Sequence, residues 1–281
     1  MIQETAHATP VAGKRTPHSR GGDPITFSFG ENWKDFLGSV RPESIEAAQR
    51  DIVDWLGGAG FADRAVLDIG CGSGIHSFCF YQGGAQQLVS FDVDRHSVEA
   101  TQSFWRRAGQ PANWTVMHGS VLDDGFTANL GRFDVVYSWG VLHHTGAMWE
   151  AVGRACKLVA PGGRLWISLY TKGPTYPVHL ALKQRYNRAS WLGKKWMAWT
   201  EILRIMRRRM KQGQNPFTWN ERRIRGMNVY HDLIDWLGGL PYEVADADEV
   251  IQFCAPRGLK PERVFRAGEG GCSIYLFAKD A

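Results

Sequence analysis

The spacing of apolar positions changes at Arg64. Before it, Ile45, Ala48, Ile52, Val53, Trp55 and Leu56 recur at helical intervals behind Pro42, and Gly57-Gly58 ends the run. After it, short apolar runs bounded by turn residues alternate with helical stretches. The pattern predicts strands over 65–69, 87–91, 113–117, 133–137 and 164–170, with helices over 74–81, 97–107 and 148–158. Strand and helix alternating at this spacing specify parallel strands joined by right-handed crossovers, an α/β, Rossmann-like doubly wound sheet. From 171 to 228 the pattern turns helical. A helix over 246–255 follows, then strands over 260–266 and 273–278 joined by Ala267-Gly268-Glu269-Gly270-Gly271, a hairpin-like connection.

The expected organisation has five parts. Residues 1–24, rich in Gly, Pro, Ser, Thr and His, form a disordered leader. Residues 25–60 form an N-terminal helical cap, opening at Ile25-Thr26-Phe27 with a short helix near 32–37. Residues 61–170 are the core, 171–228 a helical lid inserted after the fifth strand, and 229–281 the C-terminal part of the core.

Composition narrows the class. At 281 residues, 44% apolar and 22% charged, the chain has the balance of a soluble globular protein. No apolar run approaches the length of a transmembrane helix, and no secretory signal opens the chain, so a cytoplasmic protein is expected. The five cysteines form no C-x-x-C pair and their number is odd, which favours free thiols over a disulfide framework. His76 and Cys79 can share a helix face but lack a second ligand pair, so no metal site is expected. The net charge of +5 is unevenly spread: 171–225 holds fourteen Lys or Arg against Glu201 and Glu221, which leaves the remainder mildly acidic.

The first core strand runs directly into Asp68-Ile69-Gly70-Cys71-Gly72-Ser73-Gly74. Glycines here tolerate unusual dihedrals and let backbone and helix N-terminus approach a ligand. A dinucleotide fingerprint places a third Gly where Ile75 stands. Asp68 would repel a pyrophosphate but suits an ammonium group. S-adenosylmethionine offers that ammonium, and a carboxylate for the loop amides. The second strand ends in Asp92-Val93-Asp94, where a carboxylate can accept both ribose hydroxyls or, alternatively, cap the next helix.

Five segments together resemble the ordered motifs of the class I S-adenosylmethionine-dependent methyltransferases, of the ubiquinone-biosynthesis type. They are 66–74, the acidic end at Asp92, Phe133-Asp134-Val135-Val136, Val141-Leu142-His143-His144 and Leu158-Val159-Ala160-Pro161-Gly162-Gly163. The resemblance covers about 60–170 and resumes near 245. It implies a seven-stranded sheet with an antiparallel last strand, and a site at the carboxyl ends of strands one, two, four and five. It further implies that Asp68, Gly70, Cys71 and Gly72 hold the methionine end of the cofactor, and Asp92 with Val93 the ribose side. Ser120 and Val121 stand at the third-strand end, where many relatives have an acid facing the adenine, and Ser138 should lie near the sulfonium. Phe27 to Trp33, with Arg225-Gly226-Met227 and His231 to Gly239, resembles a bacterial branch met among genes of glycan and small-molecule biosynthesis. Trp33 then either covers the cofactor or pins the leader to the core.

Methyl transfer to a hydroxyl wants a base, whereas a thiolate or amine needs less help. His143 and His144 follow the fourth strand and are candidates, with helix capping as the alternative for one of them. His231, flanked by Asp232 and Asp235, is a rival, because a carboxylate can orient and strengthen an imidazole base; the alternative is a helix start at Asp232 with His231 exposed. The expected acceptor is a small molecule or glycan, methylated at oxygen and anionic if the basic lid faces it. RNA clamped by the lid is a second reading, a non-catalytic cofactor-binding partner a third. In the lid, Leu192, Trp196, Trp199, Leu203 and Met206 share a helical period, which predicts core-facing aromatics and solvated arginines, or else a basic face resting on an anionic membrane.

Overall fold

The computed structural model describes residues 42–58, 60–219 and 229–281. The expected leader, the first half of the cap and Trp33 lie outside these. Helix α1 (Pro42–Leu56) precedes strand β1 (Ala65–Ile69), and the core continues as α2 (Ile75–Gln82), β2 (Gln87–Asp92), α3 (Arg95–Arg107) and β3 (Trp114–His118). Then come α4 (Asp124–Ala128), β4 (Phe133–Trp139), a 3-10 turn at Leu142–His144, α5 (Met148–Leu158) and β5 (Val159–Tyr170). The lid contains α6 (Tyr176–Arg188), α7 (Trp191–Lys211) and, beyond the boundary expected at 228, α8 (Val229–Gly238), whose Leu233 and Leu237 pack with the other two; α9 (Ala247–Cys254), β6 (Leu259–Phe265) and β7 (Cys272–Lys279) complete the described core.

The seven strands form one sheet in the order β3-β2-β1-β4-β5-β7-β6. Strands β1 to β5 pair in parallel, and β7 runs antiparallel to both β5 and β6. Both sheet faces are covered, so the strands read as apolar runs rather than as strict alternation. Leu67 and Ile69 of β1 face a core built with α5 and α9, while Val66 faces the opposite core of α1, α2 and α3. Asp68 shares the face of Val66 and is itself 1% exposed.

Two elements differ from the sequence expectation. Helix α4 was not foreseen, because five residues carry no readable period; Asp123 caps it by accepting from the Phe126 amide at 3.1 Å. Strand β5 begins at Val159, which pairs with Phe133, five residues earlier than expected. A Cβ at Gly163 would lie 2.9 Å from the Asp134 carbonyl oxygen, so only glycine lets this segment run against the β4 backbone.

The lid has its own small core of Tyr186, Met197, Ala198, Ile202, Leu233 and Leu237. Its root is polar. The buried Lys183 ammonium donates to the Trp236 carbonyl and lies 4.5 Å from the Tyr242 ring centroid and 4.7 Å from that of Trp236. Asn187 donates to the Gly238 carbonyl at 2.7 Å. Both side chains thus satisfy carbonyls that the C-terminus of α8 leaves without helical partners. The expectation for α7 is reversed at four of its five apolar positions: Leu192, Trp196, Trp199 and Leu203 are 70%, 63%, 58% and 49% exposed. Met197, Ala198 and Ile202 form the buried stripe, with Met206 packed against it as expected; Arg204, Arg207 and Arg208 are exposed, and Arg208 and Arg209 line the cleft.

Candidate active site

A cleft of about 1230 Å³ opens at the carboxyl ends of β1, β2 and β4, with α7 and α8 across from them. One wall is the glycine loop. Gly70, Gly72 and Gly74 take left-handed φ values of 74°, 53° and 80°. The amides of Gly70 and Cys71 both donate to the Phe91 carbonyl, at 2.8 and 3.0 Å, which ties the loop to the end of β2. A Cβ at Gly70 would stand 2.4 Å from Val141 Cγ2, and one at Gly74 2.7 Å from the Thr101 Cα. The cradle therefore requires glycine for its fit as well as for its dihedrals.

Two carboxylates face this loop, Asp68 buried and Asp92 partly buried. Asp92 accepts from the Gly72 amide (3.0 Å, Oδ2) and the Asp94 amide (2.9 Å, Oδ1), so each oxygen keeps acceptor capacity for a further donor. Burial pushes its pKa up to about 6, against those backbone hydrogen bonds. Asp68 is pushed up to about 7, again chiefly by burial, with the Ser77 hydroxyl pulling the other way. An unfilled cationic partner is what such a carboxylate lacks, and the ammonium of S-adenosylmethionine fits that need.

Residues not singled out in the sequence orient Asp68. Trp114 Nε1 donates to Ser90 Oγ at 3.0 Å, Ser90 and Ser77 hydroxyls lie 2.8 Å apart, and Ser77 Oγ donates to Asp68 Oδ2 at 2.5 Å. The chain runs from β3 through β2 and helix α2 to β1, and only the folded arrangement of these elements reveals it. His76, Tyr137 and Trp139 also line the cleft, and the His76 and Tyr137 rings stack at 5.3 Å.

Asp68, Gly70, Cys71, Gly72, Asp92, Val93 and Ser120 all line the one cleft. Ser120 Oγ accepts from the Leu122 amide at 3.1 Å and retains its own proton to donate. Two of the expected cofactor residues do not reach it. Val121 is buried in the core beside α5. Ser138 is fully buried and donates to the Ile69 carbonyl at 3.0 Å, so it holds the end of β1 and does not line the cleft.

The histidines separate in the same way. His144 lines the cleft, and its Nδ1 lies 2.6 Å from the Pro241 carbonyl oxygen, a contact that requires the proton on Nδ1 and leaves Nε2 as an acceptor. Burial lowers its pKa to about 3. His143 is fully buried behind it, against the Tyr170 ring at 4.1 Å, and does not line the cleft. His231 lies within α8 rather than before it; the helical turn that brings Asp232 and Asp235 to the cleft directs His231 aside. On the acceptor side the wall continues with Tyr170, Trp236 and Cys272 from the sheet and α8, and Arg208 and Arg209 from α7. Arg209 is fixed by hydrogen bonds to the Asn215 carbonyl (2.9 Å) and Thr218 Oγ1 (2.6 Å).

Comparison with known proteins agrees with this geometry. The chain is 27% identical over 211 residues to a tRNA U34 carboxymethyltransferase of Methylococcus capsulatus, covering 69% of this chain and 61% of that protein. It is 29% identical over 117 residues to a ubiquinone biosynthesis O-methyltransferase of Aromatoleum aromaticum, covering 41% of this chain and 48% of the relative. The matches thus span about half to three-fifths of these relatives' own lengths. Among solved structures, the fold superposes on the magnesium protoporphyrin IX methyltransferase of Synechocystis PCC 6803 with bound SAH, at a TM-score of 0.54, 16% identity and coverage of 89% and 94%. An O-methyltransferase family protein from Burkholderia thailandensis superposes at a TM-score of 0.54 and 16% identity, over 93% of this chain and 66% of that one. The methyltransferase domain family matches residues 43–225, well over half of the sequence. With this match, the seven-stranded sheet and the glycine cradle, the chain belongs to the methyltransferase domain family and is a class I S-adenosylmethionine-dependent methyltransferase.

Proposed function

We propose that the enzyme methylates a hydroxyl oxygen of a small-molecule or glycan-type acceptor, and that His144 is its base. The observation that carries this reading is the His144 tautomer: Nδ1 is committed to the Pro241 carbonyl, so Nε2 is an acceptor in the cleft wall. S-adenosylmethionine supplies an activated methyl group on a sulfonium, which leaves the protein to align, to exclude water and to take up a proton. Asp92 would hold the ribose hydroxyls of the cofactor and Asp68 its ammonium. Ser120 Oγ and the neighbouring backbone serve the adenine. His144 takes the acceptor's proton on Nε2 as the methyl group is transferred.

The acceptor lies between His144 and the lid, and Arg208 and Arg209 favour one that carries a phosphate or carboxylate. A cytoplasmic setting belongs to the same proposal and is supported by five cysteines that all remain thiols. Comparative metabolite profiling of a deletion strain tests the reading: species lighter by one methyl, converted by the purified enzyme, are expected among soluble metabolites or glycan precursors. The likeness to a tRNA-modifying relative favours RNA as a second reading. A methyl lost from total RNA nucleosides, with no change among metabolites, would establish RNA and overturn the first.

A further inference from the structure

Among the described residues, the outer face of α7 is a large apolar surface that the catalytic reading leaves without a use. Leu192, Trp196, Trp199, Leu203 and Met210 follow one another at steps of three, four or seven residues, and each is about half exposed or more. They form one stripe along a helix of 21 residues, a length of about 30 Å. Lys195, Arg207 and Lys211 flank the stripe and are exposed. Lys195 Nζ lies 3.9 Å from the centroid of the Trp191 ring, itself 65% exposed. Glu201 is the single acid of the helix, and it is paired with Arg204.

From this we infer that the outer face of α7 docks on an anionic lipid bilayer, with the helix axis lying in the plane of the surface. Tryptophan with leucine on one stripe and cations at its borders is the arrangement that sinks into the headgroup boundary while lysine and arginine meet lipid phosphate. Two copies of the chain joined face to face along this stripe would bring their basic borders together, which disfavours self-association as the occupant. No helix among the described residues is long and apolar enough to cross a membrane, so contact of this kind is peripheral. The opposite face of the same helix carries Met197, Ala198 and Ile202 into the lid core and Arg208 and Arg209 to the cleft. Docking therefore sets the acceptor side of the cleft beside the bilayer, whatever the acceptor is.

The test is cosedimentation of the full chain with vesicles of phosphatidylcholine containing phosphatidylglycerol, against phosphatidylcholine alone. Tryptophan emission is followed with brominated lipids as quencher. Binding to the anionic vesicles alone, weakening as salt rises and accompanied by quenching, is expected. The variant Trp196→Ser, Trp199→Ser, Leu203→Ser should lose about tenfold or more in vesicle affinity, with melting temperature and cofactor affinity unchanged. A second variant, Lys195→Gln, Arg207→Gln, Lys211→Gln, should lose the salt-dependent part only. Absence of wild-type binding, or equal binding by the first variant, overturns the proposal. So does a dimer that the same serine substitutions dissociate in the absence of vesicle binding, or tRNA binding that depends on the stripe when vesicle binding does not.

Discussion

The sheet-end wall of the cleft and the helical wall facing it are held by different kinds of force. At the sheet ends, position is set by backbone: three left-handed glycines, two amides on the Phe91 carbonyl, and a carboxylate clamped by the Gly72 and Asp94 amides. Little there can move without breaking strand register. In the lid, position is set by side chains packing helix on helix over a small core, with Lys183 and Asn187 fastening α6 to the end of α8. A wall of the first kind suits a ligand that never changes; one of the second kind can be reshaped by substitution. Substitutions on the two walls should therefore produce separable defects.

The largest effect is expected at His144, where the walls meet. His144→Gln should lower kcat by roughly 10²–10⁴ and leave cofactor affinity nearly intact. Because burial already holds the imidazole near a pKa of 3, the wild-type kcat should show no acid limb at the ordinary imidazole value. Steady-state kinetics across pH checks both statements. Full activity in the variant would move the reading to a thiolate or amine acceptor.

Asp92→Ala should weaken cofactor binding by about a hundredfold or more, through loss of two charge-assisted hydrogen bonds of roughly 1.5–3 kcal/mol each. Calorimetry measures it, and an unchanged Kd would separate Asp92 from the ribose. Protonation should act on the same wall. With Asp68 pushed up to about 7, its ionised form meets the cofactor ammonium only above that pH, so the Kd should rise about tenfold for each unit of pH below it. The cofactor-free fold should respond in the opposite sense. Between 3.8 and about 7 the folded state keeps a proton on Asp68 that the unfolded chain has released. Stability should consequently fall as pH rises through that window, by up to about 4 kcal/mol. Asp68→Asn should flatten both profiles, as thermal melts with and without cofactor would reveal.

The smallest effect belongs to the lid. Arg208→Gln with Arg209→Gln should raise the acceptor KM on the order of three- to tenfold at low salt and less at high salt, with cofactor Kd unaltered. A change in cofactor affinity instead would mean that the two walls are not independent.

Much of the sheet-end wall is legible in the sequence because its causes are local. A strand running into spaced glycines and then a helix admits few geometries, and an acid at the end of the next strand falls beside the loop through parallel pairing. The Trp114-Ser90-Ser77 chain is not legible, since its members meet only where β3, β2 and helix α2 pack together. Nor is the choice between His143 and His144: adjacent residues in a 3-10 turn face different ways, and which way is decided by Pro241 on a distant segment. Helix α7 shows the limit most clearly. Its period correctly groups Leu192, Trp196, Trp199 and Leu203 on one face, yet a helix apolar on two sides does not announce which side the rest of the chain will cover. The narrower stripe of Met197, Ala198 and Ile202 is the one that fits against α6 and α8.

Thr171 and Ala245 form a parallel bridge, with the Lys172 amide donating to the Ala245 carbonyl and the Ala245 amide to that of Tyr170, both at 3.0 Å. The chain thus departs from the sheet and rejoins it at one point, and everything between is a detour tied off at its neck. Lengthening or replacing such a detour raises the entropy of closure by only about 0.6 kcal/mol per doubling of length. Between Tyr170 and Ala245 the architecture resembles a socket: a different helical cassette can be grafted there, and with it a different clientele, while the donor side of the reaction is inherited unchanged.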